Sequence, residues 1–325
     1  MVKRAFPQWE KIGAGLKDPV YVPTGALWMF RGDDGYVRAA APILEDFGFS
    51  VDKMTVDDAK KQYPQIDFRG VKSVWFEKKA GALAAARACG VVRDAFVKNG
   101  GTYRTGHVER ARIAKGSLSG LQLKDGSRVD ADLYVFACGP WLPTVFPDLM
   151  HNWVRPTRQE IHYFEVPKGS KRYSPGRLPI WIDFGERIVY GIPAIDGKWF
   201  KVADDTRGPS VEAPAEQRAP NADNVERDRR FLAERFPELA KAPLATTEFC
   251  RYENSPDGNL IIDYLPGAKN VVVAGGGSGH GFKLSPVVGE MTAEFILSGK
   301  DVPKAFHLDP HRTATPPKTQ FDRKG

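Results

Sequence analysis

The stretch that most constrains this chain is Asn270 to Lys300, NVVVAGGGSGHGFKLSPVVGEMTAEFILSGK. An apolar run suited to a buried strand, Val271 to Ala274, breaks into glycines at 275, 276, 277, 279 and 281, passes Lys283 and enters a helix. Ser285 has the chemistry of an N-cap and Pro286 suits the first helical turn. Val287, Val288, Met291, Phe295 and Ile296 give that helix an apolar side. Strand, bare-backbone loop and helix N-terminus in this order make an α/β unit. Its loop is either a tight turn or a ligand loop that offers N–H groups and a positive dipole end. It is not the dinucleotide fingerprint, because no choice of first glycine puts the later ones at G-x-G-x-x-G spacing.

A chain of 325 residues, 42% of them hydrophobic, can bury a large core and suggests two or three domains. No apolar segment follows the charges of Lys3 and Arg4, so no signal peptide is expected, and no apolar run is long enough to span a bilayer. Cys89, Cys138 and Cys250 are too few and too scattered for a disulfide framework or a zinc site. The expected compartment is therefore the cytoplasm, with no metal. A net charge of +7 is spread along the chain rather than gathered in an aromatic-laced block, which fits small anionic ligands better than nucleic acid.

Along the chain, Ile12-Gly-Ala-Gly-Leu-Lys-Asp18 has no buried strand before it and Asp18 where a third glycine belongs, so it is no phosphate loop. Val20 to Arg31 predicts a hairpin about Thr24-Gly25. Helices are expected over Gly35–Phe47, Val56–Tyr63 (capped by Thr55, stopped by Pro64) and Gly81–Lys98. Strands are expected at 102–105, 108–114 and 118–123. In RVDADLYVFACGPW, the apolar strand Leu133 to Ala137 runs into Cys138-Gly139-Pro140-Trp141. It reads as a parallel strand ending at a ligand crevice or as a core strand with a tight turn. Residues 153–206 alternate as antiparallel strands, 208–222 form a Pro-rich loop, and the tail past Lys304 is expected to lack order.

Three stretches together resemble the flavin-dependent amine oxidases of the D-amino-acid-oxidase superfamily, in the branch of monomeric sarcosine oxidase and N-methyltryptophan oxidase. They are ACGPW at 137–141, YGIPAIDGKWFK from Tyr190 to Lys201, and Phe249 to Glu290 with its Cys-x-Tyr, Pro-Asp, Ile-Ile-Asp and Ser-Gly-His-Gly-Phe-Lys elements. The resemblance implies an α/β plus antiparallel β fold, in which a Rossmann-like FAD-binding domain is interleaved with a mixed-sheet substrate domain. The implied division is 1–77 and 146–255 for substrate, 78–145 and 256–300 for FAD, and 301–325 as tail. Relatives begin with a βαβ unit carrying G-x-G-x-x-G, and this sequence starts after the position of that unit.

The resemblance also implies roles. Lys283 would hold the substrate carboxylate, Lys201 would be the cation that activates oxygen, and Tyr190 would line the substrate pocket. The loop Gly277, Ser278, Gly279, His280, Gly281, Phe282 and Lys283 would run along the flavin ring. Cys138, Gly139 and Trp141 would stand at the end of a cofactor-domain strand, and Cys250 would carry a covalent bond to FAD. After Lys201 the family continues into Gly-Tyr-His, whereas this chain has Ala203-Asp204-Asp205, which leaves the substrate open. The implied activity is oxidation of a secondary or N-methyl amino acid, with hydride passing to flavin and oxygen as acceptor. Two alternatives stand beside it: a flavin dehydrogenase with another acceptor, and a non-catalytic remnant whose missing unit a partner chain supplies.

Overall fold

A computed structural model describes residues 1–195, 197–206, 208–212 and 219–313. The chain opens with α1 (Val2–Gly13), β1 (Tyr21–Pro23), β2 (Ala26–Phe30), α2 (Gly35–Asp46), β3 (Val51–Met54), α3 (Val56–Gln62), β4 (Ser73–Glu77) and β5 (Gly81–Leu83). Next come α4 (Ala85–Lys98), β6 (Leu121–Gln122), β7 (Arg128–Val129), β8 (Tyr134–Phe136), α5 (Leu142–Val145), α6 (Pro147–Met150) and β9 (Arg155–Glu165). The remainder is β10 (Ile180–Phe184), β11 (Ile188–Ile192), β12 (Trp199–Asp204), α7 (Ala222–Arg235), β13 (Leu244–Asn254), β14 (Ile261–Tyr264), β15 (Val271–Gly275) and α8 (Ser285–Ser298).

Eight strands form one mixed sheet in the order β13-β9-β12-β11-β10-β2-β4-β3, antiparallel except where β10 runs parallel to β2. Period-2 alternation sorts its side chains cleanly. Leu27, Met29, Trp181, Val189, Phe200 and Val202 point to a core shared with Leu232 and Phe236 of the α7 region. Trp181 stacks on Phe200 and on Phe231, at 5.8 and 5.4 Å between ring centroids. The intervening residues Trp28, Ile182, Phe184, Ile188 and Tyr190 line a cavity on the other face. A second sheet, β14-β15-β8, pairs β15 parallel to β8 as the sequence predicts. Ile261, Val271 and Val273 pack toward Leu142, Phe146 and Met150 on one side. On the other side, Ile262 packs with Val287 and Met291 of α8, Trp9 of α1 and Ala88 of α4.

Local expectations fare unevenly. Thr55 caps α3 by accepting the Asp58 N–H at 3.0 Å. Val20–Arg31 is not a hairpin: β1 pairs with β5, while β2 lies in the large sheet between β10 and β4. Gly25 sits between them with its N–H on Ala80 and its carbonyl on Ile180, so Thr24-Gly25 switches sheets instead of turning the chain back. The first residues of the expected helix at 81 form β5, and the helix begins at Ala85. Between 102 and 123 only β6 and two isolated bridges form, because these mostly exposed residues gain little burial from a ladder. Ser285 starts α8 inside its first turn and makes no side-chain cap. The tail is anchored as far as its second short 3-10 turn: Phe306 is buried, and Arg312 clamps Asp257 at 2.8 and 2.9 Å. Residues 314–325, and 213–218 of the Pro-rich loop, lie outside the described residues.

Candidate active site

The glycine loop leaves the end of β15 in a tight, strained turn. Ser278 adopts φ +46°, a left-handed conformation that costs a side-chain-bearing residue about 1 kcal/mol or more. Its surroundings hold it there: its hydroxyl accepts the Ser255 N–H at 3.1 Å and donates to the Gly276 carbonyl at 3.1 Å, and its own N–H donates to the Glu253 carbonyl. Gly279, at φ +84°, lies so close to the Tyr252 ring that a Cβ would come within 2.6 Å of it. A strained loop maintained by its neighbours is a common mark of a functional site.

The loop forms one wall of a cavity of about 310 Å³. Ser278, Gly279, His280 and Lys283 come from the loop, Tyr190 and Tyr252 from β11 and β13, and Asp205 from the chain just after β12. The far wall is aromatic. Trp28 stacks against Tyr36 at 5.9 Å and against Phe184 at 5.8 Å. Burial pushes the Lys283 ammonium below the usual lysine range, and the charges of Asp205 and Glu77 pull it partly back. The Lys283 carbonyl accepts the Trp9 indole N–H at 2.9 Å, while Phe282 stacks on the same indole at 5.5 Å. Burial raises both tyrosines, Tyr190 to about 12, and the two hydroxyls share a hydrogen bond.

Lys201 stands behind this wall, its Nζ 5.3 Å from the Tyr190 ring. Burial lowers its pKa, opposed by Cys250 and Glu248. Burial raises the Cys250 thiol, and Lys201 is the main influence drawing it back down. Alternation along β13 accounts for this grouping. Cys250 and Tyr252 face Lys201 and Tyr190, whereas Arg251 and Glu253 face the second sheet. There the Arg251 guanidinium lies 5.7 Å from the Trp141 ring, and Glu253 reaches the Gly277 N–H at 3.1 Å. Cys138, Gly139 and Trp141 thus lie across β13 from Cys250. Burial, with Glu253 second, raises the Cys138 thiol.

The structure brings Tyr190, Ser278, Gly279, His280 and Lys283 into one cavity, with Lys201 and Cys250 adjoining it. The sequence reading missed the aromatic wall, Trp9, Tyr252 and Glu253. Tyr252 carried a usable signal, since two residues beyond Cys250 in a strand it must share its face. The Asp204-Asp205 pair divides by the same rule. Asp204 is buried and pairs with the exposed Arg187, and its carboxylate accepts the Thr206 N–H at 2.7 Å, while Asp205 lines the cavity. Among the described residues no cluster of three or more His, Cys, Asp and Glu could hold a metal, and no helix is long and apolar enough to cross a membrane.

Beyond β13 lie the carboxyl ends of the parallel strands β15 and β8, the usual ligand position of an α/β sheet. Two features there suit a bound cofactor. A Cβ at Gly139 would meet nothing nearer than 3.9 Å, and the buried Oε2 of Glu253 has no hydrogen-bond partner. A strained glycine loop, an aromatic cavity lined by a lysine and glycines at the ends of paired parallel strands fit a class: α/β enzymes with a large organic cofactor beside a small-molecule pocket.

Comparison with known proteins gives the family. The family described as DAO, FAD dependent oxidoreductase, matches residues 1–295, and the chain belongs to it. N-methyl-L-tryptophan oxidase of Salmonella enteritidis is 27% identical over 322 residues, spanning 96% of this chain and 82% of that protein. Monomeric sarcosine oxidase of an Arthrobacter species is 26% identical over 305 residues, 91% of this chain and 77% of that one. Among solved structures, Amadoriase I from Aspergillus fumigatus, a fructosyl amine:oxygen oxidoreductase, superposes with a TM-score of 0.80 at 20% identity, covering 99% of this chain and 76% of its own. L-proline dehydrogenase from P. horikoshii gives 0.77 at 21% identity, over 92% and 79%. These last two share the fold.

Proposed function

We propose that this chain oxidises a secondary or N-methyl amino acid, with FAD as hydride acceptor and oxygen as terminal acceptor. The observation that carries the reading is Lys283, an ammonium that lines an aromatic-walled cavity from the loop that leaves the glycine-rich strand end and keeps a solvent-exposed part. An ammonium in such a site pairs strongly with a carboxylate. Trp28, Tyr36 and Phe184 cover the apolar part of the substrate and exclude water, and the hydroxyls of Tyr190 and Tyr252 bond its polar edge. N-methyl-L-tryptophan oxidase and monomeric sarcosine oxidase are both named for N-methyl amino acids, which supports this substrate class.

FAD, when bound, would supply the acceptor for a hydride from the carbon next to nitrogen and the route of its electrons to oxygen. In our reading Gly277 to Phe282, with Cys138, Gly139 and Trp141, hold it, and Cys250 carries a thioether to it. The position of Lys201 beside Cys250 supports both a tether and a fixed cation, since a neighbouring positive charge favours thiolate and stabilises reduced oxygen. The same proposal divides the chain into substrate segments 1–77 and 146–255 and cofactor segments 78–145 and 256–300. The three unpaired cysteines fit a reducing compartment, which we take as the cytoplasm.

The test is a visible spectrum of the purified chain before and after acid precipitation, followed by a peroxide assay on sarcosine, N-methyltryptophan and proline. Flavin colour that stays with the pellet in wild type and is released in Cys250→Ser is the expected result, with peroxide from at least one N-methyl substrate. A protein that is colourless and takes up no added FAD rules the reading out. Turnover with an artificial dye but none with oxygen would mean a dehydrogenase.

A further inference from the structure

Glu253 lies on the face of β13 turned away from the substrate cavity, and neither the family match nor the sequence motifs give it a role. Its Oε1 accepts the Gly277 N–H at 3.1 Å, and the Gly276 backbone adds a second influence on the same carboxyl. Oε1 therefore takes up the Gly277 N–H in the glycine turn, tying that turn to β13. The other oxygen, Oε2, is enclosed and has no partner among the described residues. It faces the ends of both parallel strands. An ideal Cβ at Gly275, the last residue of β15, would come within 2.8 Å of it, and one at Gly139, just past β8, within 3.9 Å. Glycine at both positions keeps a side chain of either residue off Oε2, and Leu142 packs beside the Gly275 position.

A buried polar oxygen without a partner is destabilising in either protonation state, and native structures rarely retain one without a use. A partner supplied from outside this set of residues would meet Oε2 at the strand ends where such sheets take their ligands. Burial raises the Glu253 carboxyl above the usual range, so it can be met either neutral or ionised. A hydroxyl satisfies both forms, because it accepts from a carboxylic acid and donates to a carboxylate.

We propose that Glu253 is a cofactor-binding residue, with Oε1 holding the glycine turn closed and Oε2 hydrogen-bonding a hydroxyl of the FAD ribityl chain. This rests on the flavin reading above.

Infrared difference spectroscopy between FAD-loaded protein and apoprotein tests the contact without relying on turnover. Wild type is expected to show a shift of a carboxyl band on FAD binding, and Glu253→Gln, which is isosteric, is expected to lack it. Titration of apoprotein with FAD in the Cys250→Ser background, which removes the tether, followed by quenching of flavin fluorescence, gives the affinity with and without Glu253→Met. Loss of one hydrogen bond to a charged or strongly polar group should raise Kd by about tenfold to a hundredfold in Glu253→Met. Identical difference spectra in wild type and Glu253→Gln overturn the proposal, as does an unchanged Kd in a folded Glu253→Met. If Glu253→Met fails to fold, the isosteric variant decides alone. A wild type that takes up no FAD overturns the flavin reading and this proposal together, whereas a flavin-loaded wild type with silent variants overturns this proposal alone.

Discussion

Lys283 brings a positive charge into a cavity walled by aromatic rings, and the desolvation that makes it a strong carboxylate partner also makes it titrate early. Its folded-state pKa lies below the ordinary 10.5, so carboxylate binding is present below that lowered value and is lost as pH rises through it. KM for an amino-acid substrate should therefore climb on the alkaline side before an exposed lysine would ionise. Lys283→Met should raise KM by about tenfold to a hundredfold at neutral pH, the loss of one charge-assisted hydrogen bond, and should abolish the alkaline rise. Steady-state kinetics across pH on both proteins check this, and an unchanged KM in the variant would remove Lys283 from the substrate site. The same shift acts on stability with the opposite sense. The unfolded chain holds this proton more tightly than the folded one, so folding gains stability as pH rises from the lowered pKa to 10.5. At this scale the sequence was informative where a residue sits inside a local motif, as Lys283 does. It was silent for Trp28 and Phe184, brought together by the pairing of β2 with β10 that sets Ile180 opposite Ala26, and for Tyr36 of α2, which stacks on Trp28.

Among the elements, α1 was the one least legible in sequence, and it holds the active-site loop in place. Its polar first residues predicted little, yet Ala5 and Trp9, four apart, form a buried stripe against α8. Arg4 and Gln8 both bond Glu290 on that helix, at 3.1 and 2.9 Å. The Trp9 indole caps the Lys283 carbonyl, an acceptor inside the 3-10 turn that precedes α8. Trp9→Phe retains a ring against Phe282 but loses this hydrogen bond, at a cost of about 0.5–1.5 kcal/mol in stability. Because the bond holds the backbone of the carboxylate-binding residue, the variant should raise KM by a few-fold while changing kcat less. A fall in kcat at constant KM would show that α1 does not position Lys283. Elements with local signals were read correctly, such as α3 with its Thr55 cap and β8 with its apolar run. Val20–Arg31 failed because a local turn signal cannot report that β5 and β10, far along the chain, compete for the two halves of the supposed hairpin.

Across the whole molecule, β13 is the strand on which two sheets and two chemistries meet. Its even residues serve the cavity and its odd residues face the ends of the second sheet, an arrangement read from the alternation in Cys250 to Glu253 once the strand is known to be shared. The family's fold was legible because the long Phe249–Glu290 stretch contains β14, β15 and the glycine loop in sequence order. The surface that the fold leaves open was not. In α4, Ala88 and Val91 pack into the core with α1 and α8, while Val92 and Phe96, four residues apart on another side, are 50% and 54% exposed. Val135, in the edge strand β8, is 46% exposed, and among the described residues only β15 pairs with that strand. A helix apolar on two sides and a bare strand edge are both features that soluble proteins usually cover or charge. The chain alone should therefore bind an apolar-surface dye and associate as its concentration rises. Val92→Lys combined with Phe96→Glu replaces exposed apolar side chains by an i,i+4 pair of opposite charges, so it should reduce dye fluorescence severalfold and shift sedimentation toward monomer without lowering the melting temperature. A wild type that sediments as monomer at high concentration and leaves the dye dark would mean that this stripe is tolerated in water as it stands.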